Sequence, residues 1–174
     1  MKKYILLVIT LLLLTSCGKK CECENYQEKD VGTISNVNKV DDELPEVNFL
    51  VLGLYAGNVK KSQLTGLDVY NFDAVIKSES SISKHNYTGV KLNDFLNHLK
   101  IELKDPIKTV NFGGIDQAIV KYNKEEINDD LWLIFKKDGK QIKLYDEEKY
   151  FTLINLKENT RSWTYGVMRI IIDK

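Results

Sequence analysis

All three cysteines of this 174-residue chain stand at positions 17, 21 and 23, and Glu24–Lys174 contains none. Whatever folds after Glu24 has no disulfide framework of its own and no thiolate with which to hold a metal. Cys21-Glu22-Cys23 could bind a metal weakly, but a structural zinc site draws four ligands from spaced pairs. The reading favoured for Cys21 and Cys23 is a solvated tether whose thiols are incidental, or pair locally or between chains.

Upstream, Met1-Lys2-Lys3 is positive and Tyr4–Leu14 is free of charge. That run is shorter than the about 20 residues a membrane-spanning helix needs, and it fits the core of a secretory signal peptide. Its end, Leu14-Thr15-Ser16-Cys17, resembles the lipobox of bacterial lipoproteins. The resemblance implies a signal peptide over residues 1–16 and a diacylglyceryl group on the Cys17 sulfur. It also implies an acylated (palmitate-type) amino terminus, a cell-membrane location at the extracytoplasmic face, and the membrane as a partner through the lipid. Gly18 follows Cys17, which leaves the outer membrane open if the cell has two. Two or more acyl chains, at about 0.8 kcal/mol per buried methylene, hold a protein stably on a bilayer.

Residues 18–46 carry 4 bases and 8 acids, net −4, and no sustained apolar period. Such a segment does not bury enough surface to offset its ordering entropy, so 17–46 is expected to be the lipidated cysteine and a flexible acidic tether. Residues 47–174 carry 19 bases and 17 acids, net +2, and are expected to form one domain. No concentrated basic face points to nucleic acid.

Within the domain, "VNFLVLGLYAG" is β-like and "LDVYNFDAVIKS" alternates as a half-buried strand would. In "VKLNDFLNHLKI", Val90, Leu92, Phe95, Leu96 and Leu99 fall at helical spacing, with the start at Lys91 or Asn93 and Pro106 beyond the end. "IKTVNF" and "IDQAIVKY" read as a strand pair, and "NKEEIN" as a short helical turn. "LWLIFKKDGKQIKLY" places Asp138-Gly139 between two β runs, the strongest hairpin signal in the chain. "YFTLINL" and "YGVMRIIID" add two strands. Many short strands with one clear helix predict an α+β fold of mixed, mostly short-stranded sheets.

The order of these pieces resembles the oxidoreductase molybdopterin-binding domain of sulfite oxidases and their bacterial relatives. The motifs that carry the likeness are "FLVLGLYAGNVKKSQLTGLDVY", "YTGVKLNDFLNHLKI", "TVNFGGIDQAIVKYNKEEI", the Asp138-Gly139 hairpin and "SWTYGVMRIIID". The resemblance implies a sulfite oxidase-like fold over nearly all of Asn48–Asp173. It implies a cleft beside His85 and the motif aromatic Tyr87, with Arg161 and Trp163 at its mouth, where they could stack on and hold a planar or anionic ligand; the residues themselves leave open a plain loop role for His85 and an aromatic packed under a loop for Trp163. In that family a cysteine thiolate binds a pterin-held molybdenum. It would fall within "AVIKSESSISKHNYTG", where this chain has serines and no cysteine. An alkoxide is a harder ligand than a thiolate. Exported members that carry the cofactor generally use a twin-arginine signal, and this chain has Lys2-Lys3 and a lipobox. The cations near the expected site are Lys77, Lys84, His85 and Lys91, with Arg161 and Arg169 distant in sequence, few for an anionic pyrophosphate.

The expectation is therefore a non-catalytic, ligand- or envelope-protein-binding module with no cofactor and no metal. The alternative is a molybdopterin oxidoreductase with a non-cysteine ligand. His98 is expected to be solvated, Trp132 to be core, Asp116 to shape a strand start, and the acid runs "EEINDD" and "DEEK" to be solvated faces, since they lack the spacing of a calcium loop.

Overall fold

The computed structural model describes residues 35–37, 44–45, 49–77, 82–143, 150–158 and 163–174. Cys17, Arg161 and most of the expected tether lie outside these. Among the described residues the elements are β1 (Ser35–Val37), β2 (Phe49–Leu52), β3 (Gly57–Val59), β4 (Val69–Lys77), β5 (Ile82–Lys91), α1 (Leu92–His98), β6 (Thr109–Gly114), β7 (Ile119–Asn123), β8 (Leu131–Lys137), β9 (Lys140–Gln141), β10 (Thr152–Asn155) and β11 (Val167–Asp173), with 3-10 turns at Lys61–Leu64 and Lys124–Glu126. This is the α+β arrangement expected. No helix among the described residues is long and apolar enough to cross a membrane.

The strands form two sheets. Sheet A runs β1-β4-β5-β8-β10, with β9 also paired to β8, and sheet B runs β3-β2-β11-β6-β7. The central pair of sheet B, β2 and β11, is parallel, and β11 is antiparallel to β6. A parallel pair needs a long crossover, and here nearly the whole domain lies between β2 and β11.

Between the sheets lies the main core. Sheet A contributes Val69, Val90, Leu131, Leu133, Phe135, Phe151 and Leu153; sheet B contributes Val51, Val110, Phe112, Tyr122, Val167, Ile170 and Ile172. Helix α1 adds Leu92, Phe95 and Leu96. The predicted helix is thus present and starts at Leu92, between the two expected starts, with Lys91 as its cap. Val90 is the last buried position of β5, and its apparent helical spacing comes from strand alternation running into the helix.

The strand expected to be half-buried at Leu67–Ile76 is apolar on both sides. Val69 faces the main core, whereas Phe72 and Ala74 lie in a second buried cluster with Tyr87, Trp132, Ile134 and Ile154. Successive strand residues point to opposite faces, so this second cluster occupies the outer face of sheet A. Ile142, Leu156 and Trp163, from the connections after β9 and β10, pack against it together with Tyr70. Trp132 is buried as expected, in this outer cluster.

Three further expectations change. Ser35–Val37 falls inside the expected tether, yet it pairs antiparallel with β4 at the edge of sheet A, and Leu44 is buried in the main core. His98 is not merely solvated, because its Nε2 lies 2.9 Å from the Gln63 carbonyl oxygen and ties α1 to the first 3-10 turn. In the acid run before β8, Asp130 is buried and pairs with Lys157 Nζ at 2.5 Å. Asp116 does shape a turn, its Oδ1 accepting from the Ala118 amide at 3.1 Å. The hairpin predicted at Asp138-Gly139 is there, with both residues at positive φ, +52° and +73°, as a two-residue turn between twisted strands requires.

Candidate functional site

The residues singled out from sequence converge on the outer face of sheet A. Along β5, His85, Tyr87 and Gly89 stand opposite Ala74, Phe72 and Tyr70 of β4, so directly opposed residues share one side. On the other flank of the sheet, Thr152 of β10 opposes Ile134 of β8, and Ile154 opposes Trp132.

The aromatic rings form a continuous wall. Phe72 lies 4.2 Å from Trp132 and 5.9 Å from Tyr87, centroid to centroid. Tyr87 continues to His85 at 6.1 Å and to Trp163 at 6.2 Å, and Trp163 to Tyr165 at 6.1 Å. At the opposite end Tyr70 meets Trp132 edge-on at 5.7 Å. His85, Tyr87 and Trp163 are therefore neighbours, although 78 positions separate the first and last in the chain; Arg161 lies outside the described residues.

The polar atoms of this wall divide into two groups. Trp132 Nε1 donates to the Asp129 carbonyl at 3.1 Å, and Tyr70 Oη to Asp94 at 3.5 Å. By contrast Tyr87 Oη, Trp163 Nε1 and Thr152 Oγ1 are shielded from solvent with no hydrogen-bond partner among the described residues; Thr164 Oγ1 shares this condition. Burying an unpaired hydroxyl or N–H costs about 1–3 kcal/mol, and such atoms in a folded protein mark a place where water or a ligand supplies the missing contact. Burial, and then the charge of Asp138, push the Tyr87 phenol far up. Burial alone raises Tyr165. Tyr87 thus keeps its proton and is offered as a donor.

The rim beside His85 is rigidly held. Asp138 donates its amide to the Asn86 carbonyl at 2.7 Å and accepts from the Asn86 amide at 3.0 Å through Oδ1. Its Oδ2 lies 2.8 Å from His85 Nδ1. The Asn86 amide first, and His85 second, hold the Asp138 carboxyl below its usual range. Sequence reading treated Asp138 only as a turn residue and missed its partnership with His85. Thr152 and Tyr165 were also missed; only strand parity reveals Thr152, and Tyr165 shows itself in "SWTYG" as the second aromatic of that stretch.

The residues present do not fit a thiolate-ligated molybdenum cofactor. There is no cysteine after Cys23, and three of the cations expected near the site are engaged. Lys84 pairs with Asp73 at 3.2 Å, His85 with Asp138, and Lys91 with Asp129 at 3.5 Å while lying about 6 Å over the Tyr70 and Trp132 rings (6.0 and 5.9 Å). Arg169 belongs to sheet B, where it lies across Gly113. A Cβ at Gly113 would come within 2.5 Å of its Nε. Among the described residues no three His, Cys, Asp or Glu side chains are grouped to hold a metal ion.

No family's sequence profile matches the chain, and no curated protein matches it. Among solved structures it is similar to the sulfane dehydrogenase SoxCD from Paracoccus pantotrophus, with a TM-score of 0.59 at 15% identity. The match covers 74% of this chain and 38% of that one, so the chain spans well under half of its structural neighbour. The likeness shows a distant relation of fold, in line with the sulfite oxidase-like arrangement expected from the motifs.

Proposed function

We propose that this chain is a lipid-anchored binding module at the extracytoplasmic face of a bacterial membrane, and that the aromatic wall on the outer face of sheet A is its ligand site. The anchoring half rests on the lipobox-like Leu14–Cys17 that follows an apolar run of signal-peptide length. The binding half rests on one observation: Tyr87 Oη and Trp163 Nε1 are shielded, have no hydrogen-bond partner among the described residues, and sit in a buried aromatic cluster that a ligand would have to enter. Two donors beside flat rings suit a planar ligand that presents a hydrogen-bond acceptor, whether a free small molecule or a side chain of an envelope protein. Binding is preferred to molybdenum redox chemistry because the stretch in which the resemblance places a metal-ligating cysteine has none.

Two measurements test this. Mass analysis of the mature amino terminus should show a diacylglyceryl-modified Cys17, and Cys17→Ser should release the protein from the membrane. A thermal-shift screen of planar, acceptor-bearing compounds should yield binders that weaken about 2- to 10-fold in Tyr87→Phe and in Trp163→Phe, each of which removes one hydrogen bond and keeps a ring. Binders indifferent to both variants would place the site elsewhere. Near-stoichiometric molybdenum in protein from molybdate-fed cells would overturn the reading in favour of an oxidoreductase with a non-cysteine ligand.

A further inference from the structure

Sheet B ends at β7, and the backbone bonds of that strand have a fixed sense. The Gly114 amide donates to the Ala118 carbonyl and the Lys124 amide to the Lys108 carbonyl, both at 2.9 Å. In an antiparallel ladder the residues that exchange bonds alternate along each strand. With Gly113 opposite Ile119 and Asn111 opposite Lys121, Ala118, Val120 and Tyr122 therefore bond to β6. Ile119, Lys121 and Asn123 direct their backbone groups off the sheet. The Asn123 amide agrees, since it donates to Glu126 Oε2 at 2.6 Å. The amides and carbonyls of Ile119 and Lys121 have no such partner among the described residues.

The side chains beside this edge carry charge of one sign. Val120 and Tyr122 pack toward the main core, Val120 only half-buried. Ile119 and Lys121 therefore stand on the outer face of the sheet, Ile119 with 56% of its surface accessible. Across the ladder from Ile119 lie Gly113 and then Arg169. The β11 register shifts between Val167 and Arg169, and such a bulge re-aims the side chain beside it. The Arg169 stem rests on Gly113, where a Cβ would meet its Cγ at 2.7 Å and its Nε at 2.5 Å. Neither Arg169 nor Lys121, both exposed, makes an ion pair with a described residue. The nearby aspartates are engaged: Asp173 accepts from Asn111 Nδ2 at 2.6 Å and from Thr109 Oγ1 at 3.4 Å, and Asp116 from the Ala118 amide at 3.1 Å.

We propose that the β7 edge is a strand-addition site for an extended segment of another protein in which acidic and apolar residues alternate. Main-chain bonds to Ile119 and Lys121 dock the segment. Its acidic side chains on the outer face meet Lys121 and Arg169, and its apolar ones on the inner face cover Val120. A lysine on an edge strand deters indiscriminate pairing, and here it also selects. A second copy of this chain is the wrong partner, because pairing through β7 would set Lys121 and Arg169 of both copies on one face, like charge beside like charge. The site lies on the other sheet from the aromatic wall and stands whether or not that wall binds a ligand.

The test uses the full mature protein in detergent, amide hydrogen exchange read by NMR, and the synthetic peptide Thr-Glu-Val-Glu-Val-Glu-Thr as probe. Strand addition predicts that the Ile119 and Lys121 amides exchange fast in the isolated protein and slow about ten-fold with the peptide. The Val120 and Tyr122 amides, already bonded to β6, should change little. The peptide Thr-Lys-Val-Lys-Val-Lys-Thr should protect neither. Lys121→Glu and Arg169→Gln should each weaken the glutamate peptide about two- to five-fold. Ile119→Pro deletes an amide that bonds nothing in the domain, so the urea midpoint should hold while the peptide's effect is lost. The two charge variants leave the backbone untouched and decide the matter should the proline variant unfold. Equal protection by both peptides, no protection by the glutamate peptide, or indifference to Lys121→Glu and Arg169→Gln would overturn the proposal. So would slow exchange of Ile119 and Lys121 in the isolated protein that grows with its concentration, which would assign the edge to a second copy.

Discussion

The two apolar layers of this domain differ in the kind of aromatic residue they use. Between the sheets, Phe95, Phe112, Phe135 and Phe151 are fully buried beside aliphatic side chains, and the tyrosines there are Tyr122 and, partly buried at the edge, Tyr55. On the outer face of sheet A the rings are Tyr70, Phe72, Tyr87, Trp132 and Trp163. Tyr and Trp combine a large apolar body with a polar tip that needs a partner when buried. At the Tyr70–Trp132 end those tips are satisfied by Asp94 and the Asp129 carbonyl; at the Tyr87–Trp163 end they are not. The outer layer carries more such polar tips than the inner one, and those without a described partner gather at the end that adjoins His85.

The largest expected effect belongs to the inner layer. Phe135→Ala, at a ring packed against Phe151 at 5.9 Å, should destabilise the domain by about 3–5 kcal/mol, read as a shift in the urea midpoint at unchanged slope. Trp163→Ala, at a partly buried ring, should cost clearly less in the same titration. Equal losses would break the comparison, because Trp163 would then be a structural residue like Phe135.

Tyr87→Phe sharpens the comparison in the opposite direction. Removing a shielded hydroxyl that has no partner should leave the ligand-free protein as stable or more stable, by up to about 1–3 kcal/mol, while ligand affinity falls. Such a trade is expected where a site is kept at some expense to stability. The sign of a pH effect follows. Burial raises the Tyr87 phenol above its unfolded value near 10, so above that pH the unfolded chain releases a proton that the folded chain retains, and stability falls as pH rises. Tyr87→Phe should flatten that alkaline decline, with Tyr165 and Tyr70, both also raised by burial, contributing to what remains. A variant less stable than the parent at neutral pH would show that the hydroxyl has a structural partner, and the outer layer would lose its distinction.

Much of this architecture was legible in the residues. Asp138-Gly139 announced its hairpin because only a few residues adopt positive φ at low cost, and "NKEEI" gave its helical turn, with the Asn123 amide bonded to Glu126 Oε2 at 2.6 Å. What was hidden depended on pairing across the chain. Strand order, the parallel β2–β11 pair and the docking of Ser35–Val37 arise from contacts that no local window contains. The doubly covered sheet was misread for the same reason. A strand buried on both faces breaks strict alternation, so Val69 and Phe72 looked like one face with a slip. At the site, His85, Tyr87 and Trp163 were named from motif resemblance, whereas Thr152 and the Asp138–His85 contact required the register.

The smallest expected effect lies at the rim of the outer layer. Asp138→Asn keeps an oxygen to accept from the Asn86 amide, and asparagine tolerates the positive φ of this turn, so the hairpin should persist. What is lost is a carboxylate that the Asn86 amide and His85 hold below its usual range. A lowered folded-state value contributes stability above the unfolded value, near 3.9, and that contribution disappears as pH falls through the folded one. Urea midpoints of parent and variant should therefore differ slightly at pH 6 and converge below pH 4. A constant gap across that range would assign the effect to turn geometry and not to charge. If the gap closes as expected while the planar-ligand affinity of the variant also changes at pH 6, the position of the His85 ring is part of the binding surface. If affinity is unmoved, the site ends at Tyr87, and His85 belongs with the scaffold.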